Sequence, residues 1–432
     1  MLALLGAGAG AAMFGPGPAA ALTRSLVPPA RPLDIRRAAA GPIEAVLDRL
    51  APPGVTAFAA ADAESGRPIE RHAPLRRLPP ASVLKVITTL YALEHLGPDH
   101  RFATRLIATG PVRAGRLEGD LILAGGGDPT LDTDRLAELA AALKAAGVRE
   151  LAGRFAVWSG ALPYTPWISA DQPYELAYNP AVSGLMLNFN RVYFEWKRMG
   201  KGYDLALQAR SRAHRPRVSC VRIALAERAT PTYRYAADAE HERWTVRRSA
   251  LGRKGGRWLP VRRPARYAAE VFATLARSHG IVLPPAVELT RPPEGEVIAE
   301  TLSAPLSEML RSMLRYSTNL TAEAVGLAAT IAAGGRPERL RDSAAAMARW
   351  AARRWGLRGL RLVDHSGLGD ASRVRPQDMV SVLLAERGRL APLLKEMPLR
   401  DRSGRREAWP RIRAKTGTLN FVSNLAGYAE RA

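Results

Sequence analysis

Ser82-Val83-Leu84-Lys85 sets a hydroxyl and an amine three positions apart, so near the start of a helix both lie on one face and within mutual reach. A serine hydroxyl is a poor nucleophile until a base takes its proton. A lysine can be that base once burial or a nearby positive charge lowers its pKa toward neutrality. Arginine cannot, because its guanidinium stays protonated. Residue choice is informative here, since only seven of the 63 basic residues are lysine (85, 144, 197, 201, 254, 395 and 415) and the rest are arginine. Taken alone, the pair also fits an exposed lysine one turn after an N-cap serine.

Two further segments carry complementary chemistry. Lys415-Thr416-Gly417-Thr418 offers a positive charge, two hydroxyls and backbone N–H groups, with a glycine that lets a ligand backbone approach a strand edge. Such a set suits a substrate ending in a carboxylate. Ser317-Thr318-Asn319 adds a second hydroxyl for proton relay and an amide for a substrate carbonyl, although by itself it reads equally as a turn or N-cap. The order Ser-x-x-Lys, Ser-x-Asn, Lys-Thr-Gly is a strong joint signal.

These segments need elements to position them. Leu78-Pro79-Pro80-Ala81 leads into an amphipathic helix with apolar Val83, Leu84, Val86, Ile87, Leu90, Leu93 and Leu96, stopped by Gly97-Pro98. Helical periodicity returns at 305–314 and 320–333, with Tyr316-Ser317-Thr318-Asn319 as a tight connection, and again at 344–355 and 376–384. Strand-like runs span 55–62, 411–416 and 423–428, and a short helical pattern covers 43–50. Between 104 and 297 the character changes to short β-like runs (121–124, 155–158, 192–196, 221–225) separated by Gly and Pro turns. The expected organisation is a leader and linker over 1–32, a split α/β (α+β) domain over 33–103 and 298–432, and an inserted, mostly β region over 104–297 forming two small subdomains.

Composition bounds the remaining classes. With a formal net charge of +23 the chain permits anionic partners, but its basic residues are scattered rather than gathered in a tract, so no nucleic-acid partner is expected. Cys220 is the only cysteine, which excludes an intrachain disulfide and a multi-cysteine zinc cluster. His241-Glu242 lacks a second histidine because position 245 is Thr, and neither a Gly-x-Ser-x-Gly elbow nor a phosphate-binding loop ending in Lys-Ser or Lys-Thr occurs. No metal or organic cofactor is expected. Residues 1–21 are uncharged, rich in Leu, Ala and Gly, and offer Ala19-Ala20-Ala21 as a cleavage site, with Pro16 and Pro18 arguing against a spanning helix. The expectation is export and a mature chain without a transmembrane anchor.

At this point the chain resembles the penicillin-binding, active-site-serine superfamily. The separation of 235 positions between Ser82 and Ser317 resembles one branch, the D-alanyl-D-alanine carboxypeptidase/D-alanyl-D-alanine-endopeptidase family (peptidase family S13, class C low-molecular-mass penicillin-binding proteins). Similar too are Gly127-Asp128-Pro129-Thr130-Leu131, Leu187-Asn188-Phe189-Asn190, Asp364-x-Ser366-Gly367-Leu368 and Arg373-Val374-x-Pro376.

The resemblance implies a penicillin-binding/β-lactamase-like serine transpeptidase domain and a serine-type carboxypeptidase/endopeptidase acting on peptidoglycan peptides in the periplasm. β-Lactam antibiotics would then be covalent inhibitors. By similarity Ser82 is the acylated nucleophile, Lys85 its proton acceptor, Ser317 and Asn319 the relay and orienting pair, and Lys415, Thr416, Gly417 and Thr418 the carboxylate-binding side, with the N–H groups of Ser82 and Thr418 as oxyanion hole. The chain departs from the family at His365 and Gly369, which replace a commoner Gly and Ser, and at Trp158-Ser159-Gly160, where relatives often carry an aspartate that reads diaminopimelate. The family pattern also continues through another strand and helix after Tyr428, so the C-terminal end is expected to be incomplete. Two other functions suit the same residues: a β-lactamase-like hydrolase, and a non-catalytic basic scaffold that binds cell wall.

Overall fold

The computed structural model describes residues 2–8, 45, 47, 48 and 52–430, apart from 400–402, 407 and 409. Ala57–Asp62, a run of small and apolar residues, is a largely buried strand paired antiparallel with Pro68–His72. Near the other end of the chain Arg411–Leu419 and Val422–Glu430 form an antiparallel hairpin, with Lys395–Met397 added outside it. Leu2–Gly8 lies between these halves, antiparallel to both Ala57–Asp62 and Val422–Glu430. One six-stranded sheet results, in the order Lys395–Met397, Arg411–Leu419, Val422–Glu430, Leu2–Gly8, Ala57–Asp62, Pro68–His72. The first residues of the expected leader therefore supply a strand. The expected cleavage site and proline linker lie outside the described residues, as does most of the 43–50 pattern.

Helices cover this sheet because their apolar stripes demand it. In Leu306–Tyr316 the buried positions are Leu306, Met309, Leu310, Met313 and Leu314, a 3.6-residue period that turns one face inward. They share a core with Val86, Ile87 and Leu90 of Lys85–His95, Val325 and Ala329 of Asn319–Ala332, Ala344 and Met347 of Leu340–Trp355, and Ala426 and Tyr428 of the hairpin. Each fully buried Leu or Met there contributes roughly 1.5–3 kcal/mol. Pro376–Ala385 starts with proline at its first turn, where no N–H is needed, and Tyr428 ties the sheet to it by donating its OH to the Leu383 carbonyl at 2.7 Å.

The stretch between these halves is β-rich but not almost purely so. A five-stranded sheet, ordered Val287–Leu289, Phe155–Trp158, Leu121–Gly125, Ala103–Ala108, Glu296–Leu302, begins and ends this stretch, and smaller three-stranded sheets follow from Arg191–Met199 and Val221–Ala226. Two helices that the β-like reading omits, Thr133–Ala145 and Pro264–Ser278, pack in the core of this region. Asp132 caps the first by accepting from the Arg135 N–H at 2.9 Å. Among the described residues no helix is long and apolar enough to cross a membrane.

Candidate active site

The prolines before Ala81 hand the chain to a 3-10 turn, Ala81–Leu84, that runs straight into the Lys85–His95 helix. Ala81 sits at a φ of 45°, in the left-handed region that an alanine occupies only under constraint from its surroundings. The turn leaves Ser82 half-buried and carries Lys85 wholly into the interior. Three oxygens surround the Lys85 amine: Ser82 Oγ at 2.9 Å, Asn319 Oδ1 at 2.8 Å and the Ser366 carbonyl at 2.8 Å. Two of these, the amide and peptide oxygens, can only accept. A neutral amine has two N–H bonds and one lone pair, so giving both hydrogens to the two acceptors leaves the lone pair facing the one neighbour with a proton to give, Ser82. Burial, aided by the charge of Lys415, pushes the Lys85 amine well below the ordinary lysine range, while Glu323 and Asp364 pull the other way.

Lys415 belongs to a second cluster. Its amine donates to Ser317 Oγ at 3.0 Å and to the Thr416 carbonyl at 2.6 Å, and burial, with Lys395 nearby, lowers its pKa to about 8. Ser317 ends the Leu306–Tyr316 helix at a φ of 60°, a second left-handed non-glycine residue among the site segments. Two residues on, Asn319 opens the next helix and divides its amide: the oxygen accepts from Lys85, and Nδ2 donates to the Tyr178 carbonyl of the insertion at 2.9 Å. Thr416 and Thr418 are exposed. On the outer edge of their strand Lys395–Met397 pairs no further than Ala414, so among the described residues the edge from Lys415 to Leu419 is open. Gly417 brings this strand against the nucleophile turn, since a Cβ there would stand 2.9 Å from the Pro80 carbonyl and 3.0 Å from the backbone nitrogens of Ser82 and Val83.

The structure thus gathers Ser82, Lys85 and Asn319 into one contact group and Ser317 and Lys415 into another, with Gly417 joining them. Sequence reasoning missed the Ser366 carbonyl, because a backbone acceptor has no residue-type signature. It also missed Glu323, whose one signal was a charge four positions after Asn319 on an otherwise apolar helix. Glu323 is fully buried and accepts from the His365 N–H at 3.0 Å, the Ser366 N–H at 2.9 Å and His365 Nδ1 at 2.9 Å. Burial pushes its carboxyl up, but these bonds and the neighbouring imidazole outweigh that and hold it below the usual range. Burial and the Glu323 charge raise Asp364, which accepts from the Gly367 and Gly369 N–H groups, to about 7. His365, which the sequence reading placed near the site but outside its chemistry, bonds the carboxylate that also holds the Ser366 N–H.

A serine hydroxyl 2.9 Å from a buried lysine amine, at the meeting point of a helical layer and a strand edge, defines an active-site-serine enzyme of the penicillin-binding fold. Residues 43–432 match the D-Ala-D-Ala carboxypeptidase 3 (S13) family, and the chain belongs to it. Its activity is accordingly serine-type D-Ala-D-Ala carboxypeptidase action. Relatives include the D-alanyl-D-alanine carboxypeptidase DacB of Haemophilus influenzae, 27% identical with 82% of this chain and 77% of the relative covered. The D-alanyl-D-alanine carboxypeptidase of Actinomadura sp. (strain R39) is 28% identical with 89% and 77% covered. The crystal structure of penicillin binding protein 4 from Haemophilus influenzae superimposes with a TM-score of 0.71 at 25% identity, covering 86% of each chain.

Proposed function

We propose that this chain hydrolyses D-alanyl-D-alanine ends and cross-links of peptidoglycan stem peptides through an acyl-enzyme on Ser82, with Lys85 as the base. The observation that carries this reading is the pair of acceptors on Lys85, which leaves its lone pair to Ser82. Ser82 Oγ loses its proton to Lys85 and attacks the carbonyl of the penultimate D-alanine. The N–H groups of Ser82 and Thr418 hold the oxyanion. Lys415, Thr416 and Thr418 bind the terminal carboxylate, and the open strand edge receives the peptide backbone as an added strand. Collapse of the intermediate breaks the C–N bond and expels D-alanine, or the cross-linking amine, which takes by way of Ser317 the proton that Lys85 had accepted, leaving Lys85 neutral again. Water then attacks the ester with Lys85 again as base.

The same cleft fits penicillins, whose amide and carboxylate imitate the substrate, as covalent inhibitors. Because peptidoglycan lies outside the cytoplasmic membrane, the enzyme works after export, in the periplasm and peripheral to the wall. The apolar first 21 residues are the segment suited to direct that export. A leader cut after Ala21 would carry the Leu2–Gly8 strand away and leave the other five strands of the sheet.

Incubation with a fluorescent penicillin, followed by peptide mapping, should place the label on Ser82, and Ser82→Ala should abolish it. Digestion of purified muropeptides with mass analysis of the products should show loss of one D-alanine or opening of cross-links. A folded chain that neither labels nor releases D-alanine would overturn the reading.

A further inference from the structure

The Ser366 carbonyl aims the Lys85 lone pair only if the carbonyl itself is fixed, and the residues that fix it lie beneath the site. Glu323 holds the N–H groups of His365 and Ser366 with its two oxygens. The Thr88 hydroxyl, one turn after Lys85 on the same helix, donates to the His365 carbonyl at 2.6 Å. The His365–Ser366 peptide, the one before the peptide Lys85 uses, is therefore held from both of the helices that supply the base and its amide partner, and the N–H of the used peptide, that of Gly367, is held by Asp364 Oδ1 at 2.7 Å.

The His365 side chain completes this brace. Beside an ionised carboxylate Nδ1 must be the donor, so its N–H runs to Glu323 Oε2 at 2.9 Å. Nε2 lies 3.0 Å from Ser343 Oγ on the Leu340–Trp355 helix, and a chain of hydroxyls continues from there through Thr330 at 2.6 Å to Tyr91 at 3.0 Å. Glu323, His365 and Ser343 are all fully buried. Space for the ring is made by Gly326, three positions after Glu323, where a Cβ would stand 2.2 Å from His365 Cδ2. A slot kept open by glycine, filled by an imidazole bonded at both nitrogens, is a fitted part rather than incidental packing.

We propose that His365 is a positioning residue for the acylation step, which through Glu323 fixes the His365–Ser366 peptide next to the Ser366 carbonyl and so points the Lys85 lone pair at Ser82. This rests on the reading of Lys85 as base. Two variants separate donation from space-filling. His365→Asn keeps an N–H where Nδ1 stands but leaves part of the slot empty, whereas His365→Leu fills the slot and cannot donate.

Stopped-flow acylation by a fluorescent penicillin yields both the limiting rate constant and the dissociation constant of the encounter complex. The expected result is a limiting rate within about threefold of wild type for Asn and about ten- to a hundredfold lower for Leu, with the dissociation constant unchanged in both, as for a misplaced catalytic group. Leu faster than Asn, both variants equal to wild type, or both equally slow would overturn the proposal. A wild-type chain that never labels Ser82 would sink the base assignment along with it, while normal labelling beside an unimpaired Leu variant would sink the positioning role alone.

Discussion

The two lysines of the site do opposite work with one side chain, and their surroundings decide which. Lys85 is wholly buried with Lys415 nearby, and both push its amine well below the ordinary lysine range. Lys415 donates to a hydroxyl and a carbonyl and titrates at about 8, so at neutral pH it is positive, which suits a carboxylate and also discourages protonation of Lys85. The proposed carboxylate-binding role fixes the sign: it needs the protonated amine, which is present below about 8 and lost above it. The KM for a peptide ending in D-alanyl-D-alanine should therefore rise as pH passes through that value, by up to about tenfold per unit. The corresponding C-terminal ester, which has no carboxylate, should show a flat KM. Equal profiles for acid and ester would remove Lys415 from carboxylate binding.

At the scale of elements, catalysis depends on how closely a strand can approach a helix start. Gly417 is the contact, and any side chain there must push the Lys415 strand off the Pro80–Val83 backbone. Gly417→Val should lower the limiting acylation rate by about a hundredfold, as expected for a displacement near 1 Å, while circular dichroism shows the fold retained. A Val variant acylating at the wild-type rate would mean the strand is not a wall of the site. The side chains that meet here were legible in the sequence because Ser82, Lys85, Ser317, Asn319 and Lys415 carry reactive groups at diagnostic spacings, and the 3.6-residue stripes of Lys85–His95 and Leu306–Tyr316 announced their helices. What stayed hidden has physical reasons. Ser366 acts through its backbone, and Glu323 and His365 act on that backbone from below, so neither their types nor their spacing pointed at Ser82. Likewise Pro264 reads as turn punctuation, yet it is the first-turn residue of a buried helix.

Across the whole molecule, the sheet is assembled from both ends of the chain, and among the described residues Leu2–Gly8 is the only strand that bridges them. It pairs along six residues with Ala57–Asp62 and along seven with Val422–Glu430. Without it the catalytic hairpin keeps its Gly417 contact, the Asn424 Nδ2 bond to the Pro79 carbonyl at 2.9 Å and the Tyr428 bond to Leu383, but loses its link to the first strands. Backbone groups on two strands would then face an empty slot, and each unpaired buried group costs about 1–3 kcal/mol. Even a net loss of about 3 kcal/mol lowers the melting temperature of a chain this size by roughly 3–4 °C. A chain starting at Leu22 should melt lower by at least that margin. It should also acylate more slowly, because the Lys415 strand would be held on one side less firmly. Adding a synthetic peptide of residues 2–8 should restore part of both losses, as strand addition to an open slot requires. Equal melting curves with and without residues 1–21 would show that the sheet closes by another route.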